Sequence, residues 1–175
     1  MAKTIVDGEI NEVFGKLKTL LTQNKCKIIA EEAPKNLTVI QGSIWGTSPK
    51  TAKKKITYML QQDPAGTNIT STACLTSAYI NFTLVGCVLS AALLALCGWI
   101  ALDMQGYAAN GVGFWGWLVQ TGGQFDADKA AIFIRLSWIL AAFLAGSLAV
   151  EAFIVLKVHS GIGAFAEDMV KALQN

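Results

Sequence analysis

Apolar residues recur along this chain with three different rhythms. From Ile10 they fall at Ile10, Val13, Phe14, Leu17, Leu20 and Leu21, offsets of 0, 3, 4, 7, 10 and 11 that trace one stripe of an α-helix. Lys16, Lys18, Thr22 and Gln23 fall largely on the other side. Asp7 and Gly8 supply a start for this helix and Asn24 a stop. Around it the period is two, the spacing of a strand with one face buried. Lys3 to Asp7 and Cys26 to Glu31 read as flanking strands, Pro34 interrupts, and Leu37 to Gln41 resumes. Gly42 and the Gly46–Pro49 stretch form a turn or loop. Ile56, Tyr58 and Leu60 then alternate with Lys55, Thr57 and Met59, and Ile69, Ser71, Ala73 and Leu75 alternate with Thr70, Thr72 and Cys74. Between them Asp63-Pro64-Ala65-Gly66 is a strong turn, because Pro presets φ and Gly accepts positive φ.

The third rhythm is no period at all. From Pro64 to Leu102 there are 39 residues without Asp, Glu, Lys or Arg, ending in an almost wholly apolar run from Tyr79. A bilayer needs roughly 20 such residues to cross ~30 Å of hydrocarbon, more than a soluble core helix requires. A second apolar stretch follows. The expected organisation is an α+β module over 1–78 and a transmembrane helical hairpin over 79–157. Its spans lie at about 79–102 and 131–156, with a connector over 103–130. A short amphipathic tail over 158–175 completes the chain, with Phe165, Met169, Val170 and Leu173 on one face.

The module's order, β-α-β-β-β-β, predicts a small antiparallel sheet with one helix across it. In outline it resembles the start of helix-grip folds over about 75 residues. The resemblance implies an apolar ligand pocket between helix and sheet, whereas one helix on one sheet face predicts a filled core.

Of the fourteen basic residues, ten lie within residues 1–78, and the net charge of +2 is too small to point to nucleic acid. The local run Lys53, Lys54 and Lys55 reads as a solvated strand end. Cys26, Cys74, Cys87 and Cys97 contain no C-x-x-C pair, so free thiols in a reducing compartment are expected, with neither a disulfide framework nor a zinc site. The first apolar run starts too late for a cleavable signal. Lys157 and Lys171 against Lys129 and Arg135 leave the positive-inside count near a tie. The lysine-rich module and free thiols therefore place both termini in the cytoplasm, making the sequons at Asn36, Asn68 and Asn81 chance occurrences.

Gly42 to Lys50 lacks the spacing of a phosphate loop, and Trp45 within it either caps the sheet or dips towards lipid or a partner. Ala141, Ala145 and Ala149, Ala142 and Gly146, and Gly86 and Ser90 recur at four-residue spacing, which lets helices approach closely. Glu151 and Arg135 are the charges within or beside the spans, where ionisable groups are costly. Trp99, Trp115, Trp117 and Trp138 suit membrane interfaces, and Val112 to Val119 reads as a short interfacial or re-entrant element. His159 is alone, and Asp103, Arg135, Glu151 and His159 are not spaced as a catalytic cluster. No cofactor, metal or catalytic residue is expected. The pattern points to a non-catalytic accessory subunit of an integral-membrane complex. Its partners would be membrane lipid and other membrane subunits or a second copy. The alternative is a membrane-anchored binder of a lipid or other apolar molecule.

Overall fold

A computed structural model of the chain describes residues 2–174. It divides into two compact units, residues 1–83 with 153–175, and residues 84–152. The architecture is an antiparallel α+β module followed by two long apolar helices.

In the first unit, strands β1 (Ala2–Val6), β2 (Lys27–Glu32), β3 (Asn36–Gln41), β4 (Lys54–Asp63) and β5 (Gly66–Leu75) form one antiparallel sheet, ordered β1-β5-β4-β3-β2. Register follows the alternation in the sequence: Leu37 faces Tyr58, Val39 faces Ile56 and Leu60 faces Ile69. The β4–β5 hairpin closes at Asp63 and Gly66, whose φ of 131° brings its α-carbon close to the Val6 carbonyl. Any side chain there would clash, since a Cβ would lie 2.6 Å from that oxygen.

Helix α1 (Ile10–Gln23) lays Val13, Phe14, Leu17 and Leu21 on the sheet, against Leu37, Val39, Ile56, Tyr58, Leu60 and Ile69. Its start is capped from across the fold, the Ile10 N–H donating to Gln62 Oε1 at 2.8 Å. Each fully buried aliphatic side chain here contributes about 1.5–3 kcal/mol. The C-terminal segment adds to this same core. Helix α4 (Ala164–Lys171) packs Phe165, Ala166 and Val170 into the cluster, with Met169 and Leu173 partly buried beside it. Gln174 Nε2 donates to the Ile5 carbonyl at 3.0 Å, and Asp168 pairs with Lys50 at 2.6 Å. The amphipathic stripe expected over Phe165 to Leu173 is thus a second cover for the sheet.

The long helices are α2 (Ser77–Asn110) and α3 (Ala127–Ser160), 34 residues each. At 1.5 Å per residue each measures about 51 Å, well beyond the ~30 Å of a hydrocarbon layer. Both are long and apolar enough to cross a membrane. Helix α2 outruns the apolar stretch expected to end at Leu102, because nothing breaks it before Gly111. That residue takes a φ of 70° and donates its N–H to the Tyr107 carbonyl. Helix α3 begins at a proper cap, Asp126 Oδ1 accepting from the Lys129 N–H at 3.1 Å. That bond, first among several, holds the Asp126 carboxyl below its ordinary value. Between the helices lie a 3-10 turn at Gly116–Val119, in the second half of the segment read as an interfacial or re-entrant element, and a two-stranded hairpin of β6 (Gln120–Thr121) and β7 (Gln124–Phe125).

Candidate functional site

Within residues 84–152 the less exposed positions of each long helix recur at spacings of three and four. On α2 they include Gly86, Ser90, Leu94, Cys97, Ala101 and Met104. On α3 they include Ala130, Ile134, Ser137, Ala141, Leu144, Leu148 and Glu151. This is the seven-residue repeat of helices that pack along one seam. It sorts the small residues singled out in the sequence. Gly86, Ser90 and Ala141 belong to the seam, whereas Ala145, Gly146 and Ala149 are exposed on another face of α3, joined there by Ala142. Space beside Gly146 is open, with nothing within 4 Å of where a Cβ would stand.

Glu151 sits on the seam. Its Oε1 lies 3.9 Å from the position a Cβ would take on Gly86, and its Oε2 is buried without a protein partner. The absent side chain at Gly86 is what makes room for the carboxylate. Arg135 is exposed, and sixteen residues along α3 place it about 24 Å from Glu151, so the two charges are not a pair.

At the far end of this unit Asp103 organises the connector. Its carboxylate accepts from the Phe114 N–H at 3.1 Å and the Trp115 N–H at 2.8 Å. Trp99 stacks on Phe114 and meets Trp115 edge-on, both at 5.5 Å between centroids. The Tyr107 ring lies so close to Gly116 that a Cβ there would come within 2.5 Å of it. Asp103 therefore holds the backbone, and about 25 Å of helix separates it from the Gly86 level where Glu151 lies. Trp117 and Trp138 remain exposed, while the buried Trp115 indole N–H has no protein partner.

In the first unit, the sheet end from which α2 departs is built around Tyr79. Its hydroxyl donates to the Gly46 carbonyl at 2.9 Å, and its ring packs with Ala52 and Val158. Trp45, 71% exposed, meets Phe82 edge to face. Trp45 accordingly lies beside the first turns of α2 and does not cap the sheet.

Lys54 corrects the reading of its run as a solvated strand end. It is fully buried, donates to the Pro49 carbonyl and lies 5.3 Å from the centre of the Phe165 ring. Burial lowers its pKa to about 8, and burial likewise raises that of the neighbouring Cys26 thiol. Burial also pushes up the Tyr58 phenol, whose hydroxyl has no protein partner. The sequence carried a signal for Lys54. Ile56, Tyr58 and Leu60 all face inward, and one more step of two back along the strand arrives at Lys54.

Among the described residues no group of His, Cys, Asp and Glu is arranged to hold a metal ion, and His159 is exposed. Comparison with known proteins finds no matching family model, no matching curated protein and no matching solved structure.

Proposed function

We propose that this protein is an integral-membrane, non-catalytic accessory subunit of a larger membrane complex. Its α2–α3 hairpin packs on partner helices, and its α+β module is a docking body on the cytoplasmic side with both termini. The observation that carries this reading is the exposed stripe Ala142, Ala145, Gly146 and Ala149. Small residues at offsets of 0, 3, 4 and 7 suit close helix approach, and the chain's own α2 does not cover them. Only 11% of the most apolar stretch of α2, and 6% of that along the second span, is buried within the chain. The remainder is left to lipid or to other helices.

The packing of the module favours this reading over a binder of apolar molecules. Leu17, Leu21, Leu37, Val39, Ile56 and Tyr58 fill the space between helices and sheet, each fully buried. Orientation draws support from the fold, which gathers lysines at the sheet end where α2 begins.

Mild detergent extraction followed by native mass spectrometry tests the proposal. Wild type should run as a particle larger than one chain, and Gly146→Leu should release it as a folded single chain. A wild-type particle of one chain plus detergent overturns the reading.

A further inference from the structure

The sheet register sorts charge along the strands. Lys27, Ile40, Lys55 and Cys74 share one rung, the last but one before α2, and Lys53 lies two residues beyond Lys55 towards α2. Residues opposite one another in an antiparallel sheet project to the same face, so Lys27 and Lys55 stand on the outer face, away from α1. Glu32 pairs with Asn36, and Asn36 with Met59, which puts that carboxylate four rungs away, about 13 Å. Glu31 is one rung nearer and already engaged by Lys18 at 2.8 Å. Asp63 is farther still, at the hairpin turn. Lys50 is neutralised by Asp168. Among the described residues Lys27, Lys53 and Lys55 have no carboxylate partner.

At this end the surface is concave. A cleft of about 370 Å³ is floored by Ile40 and Cys74, flanked by Lys53 and Lys55, and closed by Ser77 at the entry to α2, where the Thr76 hydroxyl donates to the Lys53 carbonyl at 3.3 Å. Its volume falls within the range of small-molecule sites, about 300–1,000 Å³. The apolar stretch begins at Tyr79, two residues past Ser77, so the cleft opens at headgroup level if α2 enters the bilayer there. Two unpaired ammonium groups and the Ser77 hydroxyl beside an apolar floor match a phosphate diester that carries acyl chains. They do not match a zwitterionic headgroup, whose own cation would meet the lysines.

We propose that the Lys53–Lys55 cleft binds the phosphate-bearing headgroup of an anionic phospholipid. This rests on α2 being a membrane span but not on any protein partner, so it stands or falls separately from the accessory-subunit reading. Lys53 and Lys55 supply the charge, Ser77 donates a hydroxyl hydrogen bond, and Ile40 accepts the glycerol end of the chains.

The test uses the full chain, purified from bilayer nanodiscs holding equal phosphatidylglycerol and phosphatidylcholine, with native mass spectrometry counting retained lipids. Wild type should retain phosphatidylglycerol over phosphatidylcholine by about tenfold, equivalent to 1.4 kcal/mol. Lys53→Gln with Lys55→Gln should bring the ratio to parity, Lys53→Arg with Lys55→Arg should restore it, and Lys35→Gln, in the β2–β3 turn at the opposite end of the sheet, should leave it unchanged. Inorganic phosphate in excess should not displace the lipid. Equal retention by wild type, or an unchanged preference in the double Gln variant, overturns the proposal. So does displacement by inorganic phosphate, which would assign the cleft to a soluble phosphate compound.

Discussion

Trp45 and Phe82 meet edge to face with ring centroids 4.6 Å apart, tying a loop of the α+β module to the first turns of α2. Aromatic pairs of this geometry contribute about 0.5–1.5 kcal/mol beyond their buried area. Because Phe82 belongs to the apolar stretch, Trp45 should sit at the headgroup level. In reconstituted bilayers, the fluorescence component lost in Trp45→Phe should be quenched more by lipids brominated near the headgroup than by lipids brominated near the chain end. A component insensitive to both lipids would put Trp45 in water.

Lys54 makes the module's stability depend on pH in a defined direction. Its pKa falls from 10.5 in the open chain to about 8 in the fold, so between those values the unfolded chain binds more protons. Stability from this residue therefore rises with pH across that window and is flat below it. Cys26 and Tyr58, both raised by burial, work in the opposite sense at alkaline pH. The comparison that isolates Lys54 is with Lys54→Met. Relative to that variant, wild type should gain stability as pH goes from 8 towards 10, measured by denaturant unfolding of the detergent-solubilised protein. A difference that does not change with pH would contradict the buried amine.

The connector depends on Asp103 and on the lack of a side chain at Gly116. Hydrogen bonds to a charged group contribute about 1.5–3 kcal/mol each, so Asp103→Ala should loosen the Phe114–Trp115 segment. Hydrogen exchange at those two amides should accelerate by at least tenfold. Gly116→Ala should lower the unfolding temperature, since its methyl group would run into the Tyr107 ring. Gly98→Ala, with nothing within 4 Å, should leave it unchanged or raise it. If Gly116→Ala and Gly98→Ala behave alike, the close packing at Tyr107 is not present.

Much of this architecture is legible in the order of the residues. Period-two alternation from Ile56 to Leu75 marks the β4–β5 hairpin, and the offsets from Ile10 to Leu21 mark α1, because each face is buried against one neighbour. What is not legible depends on packing between distant segments. Phe165 to Leu173 shows an amphipathic face, but only the fold reveals that it covers the same sheet as α1. Lys54 looks like its neighbours Lys53 and Lys55 until parity along β4 sends it inward. Small residues on α3 form two overlapping series. The seam around Ala141 separates from the exposed stripe around Gly146 only when a second helix takes one side. Nothing in the order of the residues groups Lys27 with Lys55, because they come to one rung through strand pairing across β3.

Topology tests the central claim most directly. In a Cys74→Ser background, Ala65→Cys marks the β4–β5 turn and Ala109→Cys marks the end of α2 beside the connector, both at exposed positions. A membrane-impermeant maleimide applied to intact cells should label Ala109→Cys and reach Ala65→Cys only after permeabilisation. Two helices that cross the lipid must hold these positions on opposite sides, whatever their partners. Identical labelling of both cysteines in intact cells, or release of the chain into solution by alkaline washing, would contradict the account.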